Sequence, residues 1–260
     1  MRVFLVFVAV LGLASCGGSR DAEPSIGRAV GGVGAPRFAD SDPYDWVGGT
    51  LPWHYPVHGI DVSKYQGDID WRRVRASGVD FAYIKATEGG DHADDRFLDN
   101  WQAAGAAGMP RGAYHYYYFC RPALEQAAWF INHVPKDATA LPPVLDLEWT
   151  HKSKTCTFRP DAASVQSEAR IFLAALTAYY GRRPVIYTTV DFYRDNELWH
   201  LDYPFWLRSV AGHPSDVYPG QQWHFWQYTG TGLVEGIAGP TDLNVFAGTR
   251  GQWTAFASAR

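Results

Sequence analysis

The sequence predicts an α/β barrel of eight strands with some late helices missing, and three features carry that prediction. Eight short apolar runs follow one another between His58 and Phe246. Helical patterns separate the early runs, whereas the last three have no substantial helix between them. Carboxylates stand at the ends of runs that are far apart in the chain. Strand–helix alternation implies parallel strands joined by right-handed crossovers, and a TIM-like barrel closes such a sheet on itself. The rival is an open doubly wound sheet, disfavoured because no glycine-rich phosphate loop follows the first run.

In order, the runs are "HGIDVS", "DFAYIKAT", "GAYHYYY", "PPVLDLEW", "RPVIYTT", "PFWLRSV", "HFWQYTG" and "DLNVF". Three helices are read between the early ones. Phe97, Leu98, Trp101, Ala104 and Gly108 recur at three- and four-residue steps. Leu124, Ala127, Ala128 and Ile131 do so behind Pro122, which suits a first-turn position. Val165, Ala169, Phe172, Leu176 and Tyr180 form a third stripe ended by Gly181.

The barrel is expected to fill residues 58–260 as one domain, and 260 residues are ample for a single α/β core. Residues 1–15 read as an export signal: Arg2, then the apolar run Val3–Leu13, then small residues. That run is shorter than the ~20 residues a membrane span requires. Leu13-Ala14-Ser15-Cys16 resembles a bacterial lipobox, so Cys16 is the expected lipidation site. An ordinary signal peptide with an incidental cysteine is the alternative. Residues 16–57, rich in Gly, Pro and Asp, read as a tether that becomes ordered near Trp53-His54-Tyr55. In an exported chain the other two cysteines, Cys120 and Cys156, are expected to pair, with two free thiols as the other possibility.

A formal net charge of −4 leaves no basic footprint, which argues against nucleic acid as a partner. Fifteen percent of the residues are aromatic, including 11 Trp and 15 Tyr, more than packing usually demands. Exposed aromatic faces stack on sugar rings. Active sites of such barrels lie at the C-terminal ends of the strands. That rule selects Asp61, Glu88, Asp146, Glu148, the Trp226-Gln227-Tyr228 stretch and Asp242, with Lys64, Lys85 and Arg208 as the few basic residues nearby. Asp146 and Glu148 are two apart on one strand and so share a face. Their mutual repulsion should keep one proton in the cluster, assigned to Glu148 under the partial cover of Trp149 or Tyr116.

Clustered carboxylates serve metal binding or acid–base chemistry. No EF-hand loop, HExxH or CxxC is present, so no metal or other cofactor is expected. The G-x-S-x-G elbow of serine hydrolases is also missing. Glycosidic cleavage needs one protonated and one or more ionised carboxyls, and uses the most features at once.

The stretches "GIDVSKYQGDIDW", "DFAYIKATEG", "AAGMPRGAYHYYY", "VLDLE", "FWQYTG" and "DLNVF" occur in order, and together they resemble glycoside hydrolase family 25, the Chalaropsis-type lysozymes. The resemblance implies a β/α barrel lacking some late helices. It also implies hydrolysis of the β-1,4 bond between N-acetylmuramic acid and N-acetylglucosamine in peptidoglycan glycan strands. It makes Glu148 the general acid, Asp146 its partner at the substrate's N-acetyl group, and Asp61 and Asp242 two further cleft acids. Tyr114, His115 and Tyr116 fall on the family's aromatic strand end, Trp226 and Tyr228 on its sugar-facing aromatics. Glu88 is kept as a hydrogen-bonding residue. Arg208 departs from the family pattern. It is expected to pair with a site carboxylate, to bind a substrate carboxylate, or to face outward. The expected protein is a monomer held at a membrane by its N-terminal lipid, facing the periplasm or cell wall. A binding lipoprotein without turnover and a hydrolase of chitin are the alternatives.

Overall fold

A computed structural model describes residues 35–150 and 153–259. Cys16, the signal segment and the first part of the expected tether lie outside the described residues. The eight expected runs become eight strands: β1 (His58–Val62), β2 (Phe81–Glu88), β3 (Arg111–Tyr116), β4 (Val144–Leu147), β5 (Val185–Thr188), β6 (Phe205–Arg208), β7 (Phe225–Leu233) and β8 (Thr241–Phe246). They pair in chain order and close into a barrel, with β7 joined to both β6 and β8.

Strands β1 to β7 are parallel where they are neighbours, but β8 is antiparallel to both β7 and β1. That corrects the expectation of a wholly parallel sheet. Only residues 234–240 join β7 to β8. A link this short allows a hairpin and excludes a parallel crossover. The consequence for the site is direct. The mouth combines the C-terminal ends of seven strands with the N-terminal end of β8, which puts Asp242 opposite Asp61 in register.

Helices α1 (Trp71–Ala76), α2 (Phe97–Ala106), α3 (Ala123–His133) and α4 (Ala162–Tyr180) cover the first half. The later α5 (Val190–Asp195) and α6 (Pro214–Val217) are short, and α7 (Arg250–Ser258) follows the barrel. Asp161 caps α4 by accepting the Ser164 amide at 2.9 Å, and Gly181 ends it at φ 70°. The stripe Val165, Ala169, Phe172 and Leu176 is buried as expected. The α3 stripe is not. Leu124 is exposed, and the buried face is Ala123, Gln126, Ala127 and Phe130. The polar Gln126 wins a core position because its amide reaches His115 at 3.1 Å and the Tyr118 backbone at 2.8 and 2.9 Å. Leu98 of α2 is likewise exposed, with Asn100 buried in its place and bonded to Trp71.

Two apolar layers result. One lies between strands and helices. The other fills the barrel interior with Phe81, Tyr83, Val144, Val185, Trp206, Phe225 and Phe246, plugged by Trp253 of α7. Gly59 and Gly112 face these rings, and a Cβ on either would lie 2.3 Å from an aromatic carbon of Phe81 or Tyr83. Outside the barrel, the segment read as a tether already packs from Phe38 onward. Ala39–Asp40 pair with Gly232 and Leu233, and Trp46 and Tyr55 lie edge-on to Trp226.

Cys120 and Cys156 form a disulfide, Cα–Cα 5.6 Å, that ties the loop after β3 to the loop after β4. Closing 36 residues of chain should contribute ~4 kcal/mol through the unfolded state. Replacing both cysteines with serine is expected to lower the unfolding free energy by about that amount. Denaturant titration of both forms checks it, and equal midpoints would remove the bond from the stability account.

Candidate active site

Parity along the strands decides which side chains enter the barrel mouth. Asp61 from β1, Lys85 from β2, Tyr114 and Tyr116 from β3, and Asp146 with the adjoining Glu148 from β4 line one cleft. Tyr187, Trp206, Arg208, Gln227 and Asp242 complete it from the other side, with Ser63 and Tyr65 at the rim. All four acids expected from the sequence therefore meet in one place.

The intervening residues go elsewhere. His115 lies between Tyr114 and Tyr116 and points outward, fully buried against Phe172, with ring nitrogens bonded to Thr87 and Gln126. Trp226 and Tyr228 flank Gln227 and also point outward. The Trp226 indole donates to the Ser209 carbonyl at 2.7 Å, and Tyr228 packs edge-on against His58. Trp149 turns away too, donating to Asp195 at 2.9 Å and packing on Phe192, so it does not cover Glu148. The side chain that enters from the β7 motif is Gln227.

Glu88 reaches the mouth's edge by a different device. The β2–β3 register shifts between Lys85 and Thr87, and this extra residue turns Thr87 out to His115 while Glu88 pairs with Lys85. Tyr118 also donates to Glu88, at 3.3 Å, and the Lys85 ammonium lies 5.0 Å over the Tyr116 ring. Burial pushes the Glu88 carboxyl up, but the bonds and charge of Lys85 outweigh it and hold the group below its usual range.

Asp61 is the best supported acid. Its Oδ2 accepts from Gln227 Nε2 at 2.9 Å and from Asn244 Nδ2 at 2.8 Å. Those amides are oriented in turn: Tyr187 donates to the Gln227 oxygen at 3.0 Å, and the Trp206 indole to the Asn244 oxygen at 2.7 Å. Burial raises Asp61 to about 6, against the opposing pull of Asn244, Gln227 and Arg208. Asp242 is pushed further, to about 8, by burial and by the charges of Asp61 and Glu148, again with Arg208 opposing. Asp146 is raised well above the carboxylate range by burial and then by Glu148, with Lys85 opposing. Its Oδ1 is buried without a hydrogen-bond partner among the described residues.

Asp61 and Asp146 are buried, whereas Asp242 and Glu148 are both half-buried in the same cleft. Arg208 faces inward, as parity with Trp206 requires, and its charge acts on both Asp61 and Asp242. Among the described residues no three His, Cys, Asp or Glu side chains converge in a metal-holding arrangement. The chemistry this geometry offers is proton transfer within a cluster of four carboxyls, beside aromatic rings and one guanidinium.

The chain matches the family model of Glycosyl hydrolases family 25 over residues 60–237. It is 37% identical over 212 residues to the uncharacterized protein YegX of Escherichia coli (strain K12), covering 79% of this chain and 75% of that one. Identity to Lysozyme M1 of Streptomyces globisporus is also 37%, over 214 residues, 78% of this chain and 71% of the relative. The structure of a family 25 glycosyl hydrolase from Bacillus anthracis superposes with a TM-score of 0.75 at 34% identity, covering 84% of this chain and 99% of that one.

Proposed function

Because the chain belongs to glycosyl hydrolases family 25 and is a glycoside hydrolase, we propose that it is a muramidase whose acid is Glu148. It cleaves the β-1,4 bond between N-acetylmuramic acid and N-acetylglucosamine in peptidoglycan. One observation carries the assignment of roles. A buried Asp146, its carboxyl raised well above the usual range, and a half-buried Glu148 leave the same strand end on the same face. Glu148 gives its proton to the leaving glycosidic oxygen, water supplies the new hydroxyl, and the released proton returns to the cluster. Neutral Asp146 donates a hydrogen bond to the N-acetyl group, and Tyr114 and Tyr116 bound the sugar. Glu88 acts through Lys85. Purified cell wall and chitin oligosaccharides, compared by turbidity and product analysis, test the reading: muropeptides with free reducing muramic acid are expected, and cleavage of chitin alone would overturn it.

Export by the N-terminal signal and anchoring through lipidated Cys16 complete the proposal. The Leu13–Cys16 pattern and a disulfide suited to an oxidising compartment support it.

Asp61→Asn is expected to slow hydrolysis roughly 10²-fold, the scale of a misplaced catalytic constellation. An amide at this position must present its oxygen to both Gln227 and Asn244, which turns its NH₂ into the cleft. Circular dichroism should show an intact fold. A variant that fails to fold would make Asp61 a structural acid.

A further inference from the structure

At the barrel end opposite the active site, a groove of about 860 Å³ opens between the segments that lead into β5, β6 and β7. Arg183, Tyr203 and Gln222 stand just before those strands, and Tyr193, Arg194 and Trp199 form the facing wall. The volume lies within the usual range of small-ligand sites. The groove is lined by aromatic rings, Arg183 and Arg194, with Asp202 as its single acid, whereas the catalytic cleft holds four acids.

The turn that presents Trp199 is unusual. Leu198 and Leu201 on either side are buried at 0% and 3%, yet the Trp199 side chain between them is 49% exposed. Glu197, which starts the turn, is the single non-glycine residue with positive φ among the described residues, at 49°. That conformation is unfavourable for any residue with a Cβ. The chain tolerates it here, anchored by two leucines, and the result is an indole held in solvent beside Tyr193, ring centroids 5.6 Å apart. Across the groove the Arg183 guanidinium lies 5.1 Å over the Tyr203 ring and pairs with Asp202. Arg194 is positioned by its bond to the Val217 carbonyl.

We propose that this groove is a second binding site for a carboxylate-bearing glycan strand, the wall polymer itself. Flat rings meet the apolar faces of pyranose units, and the two arginines meet the carboxylates of the strand's lactyl or peptide substituents. The proposal rests on the reading of the protein as a peptidoglycan hydrolase. Because the groove faces away from the cleft, the strand it holds is not the bond being cut. It keeps the enzyme on an insoluble wall between cleavages.

The test uses the full chain. Co-sedimentation with insoluble cell-wall sacculi is measured for Glu148→Gln and for the same protein carrying Trp199→Ala. The second change should weaken capture roughly tenfold, the upper end of what one stacked aromatic contributes. Trp199→Ala alone should leave turnover of a soluble glycan tetrasaccharide and the melting temperature unchanged. Undiminished sedimentation would overturn the site. Equal capture by chitin beads, which carry no carboxylates, would overturn its acidic ligand. Trp199-dependent capture by a wild-type protein that cleaves no glycan would instead sink the hydrolase reading and leave the groove standing.

Discussion

Glu148→Gln is expected to retain the fold and lose nearly all turnover, by ~10²–10⁴-fold, the usual contribution of a general acid. The amide keeps the shape of the side chain but has no acidic proton for the leaving oxygen. Position singles out this residue. Glu148 is half-buried and lines the cleft, so a glycosidic oxygen bound there can reach it. Asp146 beneath it is buried and raised well above the carboxylate range. The substitution Asp146→Asn therefore mimics the protonated form that burial favours, and should cost less than Glu148→Gln. Single-turnover rates on a soluble glycan, measured for both variants beside wild type, give the order. Near-normal hydrolysis by Glu148→Gln, or a larger loss from Asp146→Asn, would exchange the two roles.

The eight strands and the four acids were legible because both follow from short-range rules. Apolar runs bounded by Gly and Pro mark strands, and a mouth at the strands' C-terminal ends selects the acids. The aromatic and polar lining follows from a short-range rule as well. The alternation that puts Asp146 and Glu148 on one face also governs "FWQYTG" and "AYHYYY". The same rule sends Gln227 inward with Phe225, and Tyr114 and Tyr116 inward with Gly112. It equally sends Trp226, Tyr228 and His115 out. Tyr187 and Asn244 could have been found likewise, as inward residues of the fifth and last runs.

Other features were not recoverable locally. The β2 bulge that brings Glu88 round to Lys85 appears only in the pairing with β3. Gln126 looks like a surface residue until His115 and the Tyr118 backbone require a buried amide. The antiparallel course of β8 follows from a short link, yet the run itself reads the same in either direction. Burial also raises the carboxyls of Asp146, Asp242 and Asp61. Sequence spacing shows which acids repel one another, but not which of them lies deepest.

That burial carries the other large effect, expected at Asp242. In the folded state its carboxyl is raised from the ordinary 3.8 to about 8, by burial first and then by Asp61 and Glu148. The native state therefore keeps a proton that the unfolded chain releases, so Asp242's contribution to stability is greatest below about pH 4 and falls as pH rises toward 8. Each pH unit in that window costs up to ~1.4 kcal/mol. Asp61, raised to about 6, adds a loss of the same sign over the lower part. Asp242→Asn removes the first of these losses. The variant should match wild type near pH 4 and exceed it by roughly 3–5 kcal/mol at pH 8, while hydrolysing its substrate more slowly. Stability gained by deleting this acid would then be gained at the cost of function. Wild-type kcat/KM should rise through about pH 6 as Asp61 ionises and fall beyond about 8 as the cluster's last protons leave. Urea titrations at both pH values, with the rate profile alongside, check each part. Parallel stability curves for variant and wild type would mean that Asp242 titrates as an ordinary surface acid, and a rate flat past pH 9 would take the proton out of the cluster.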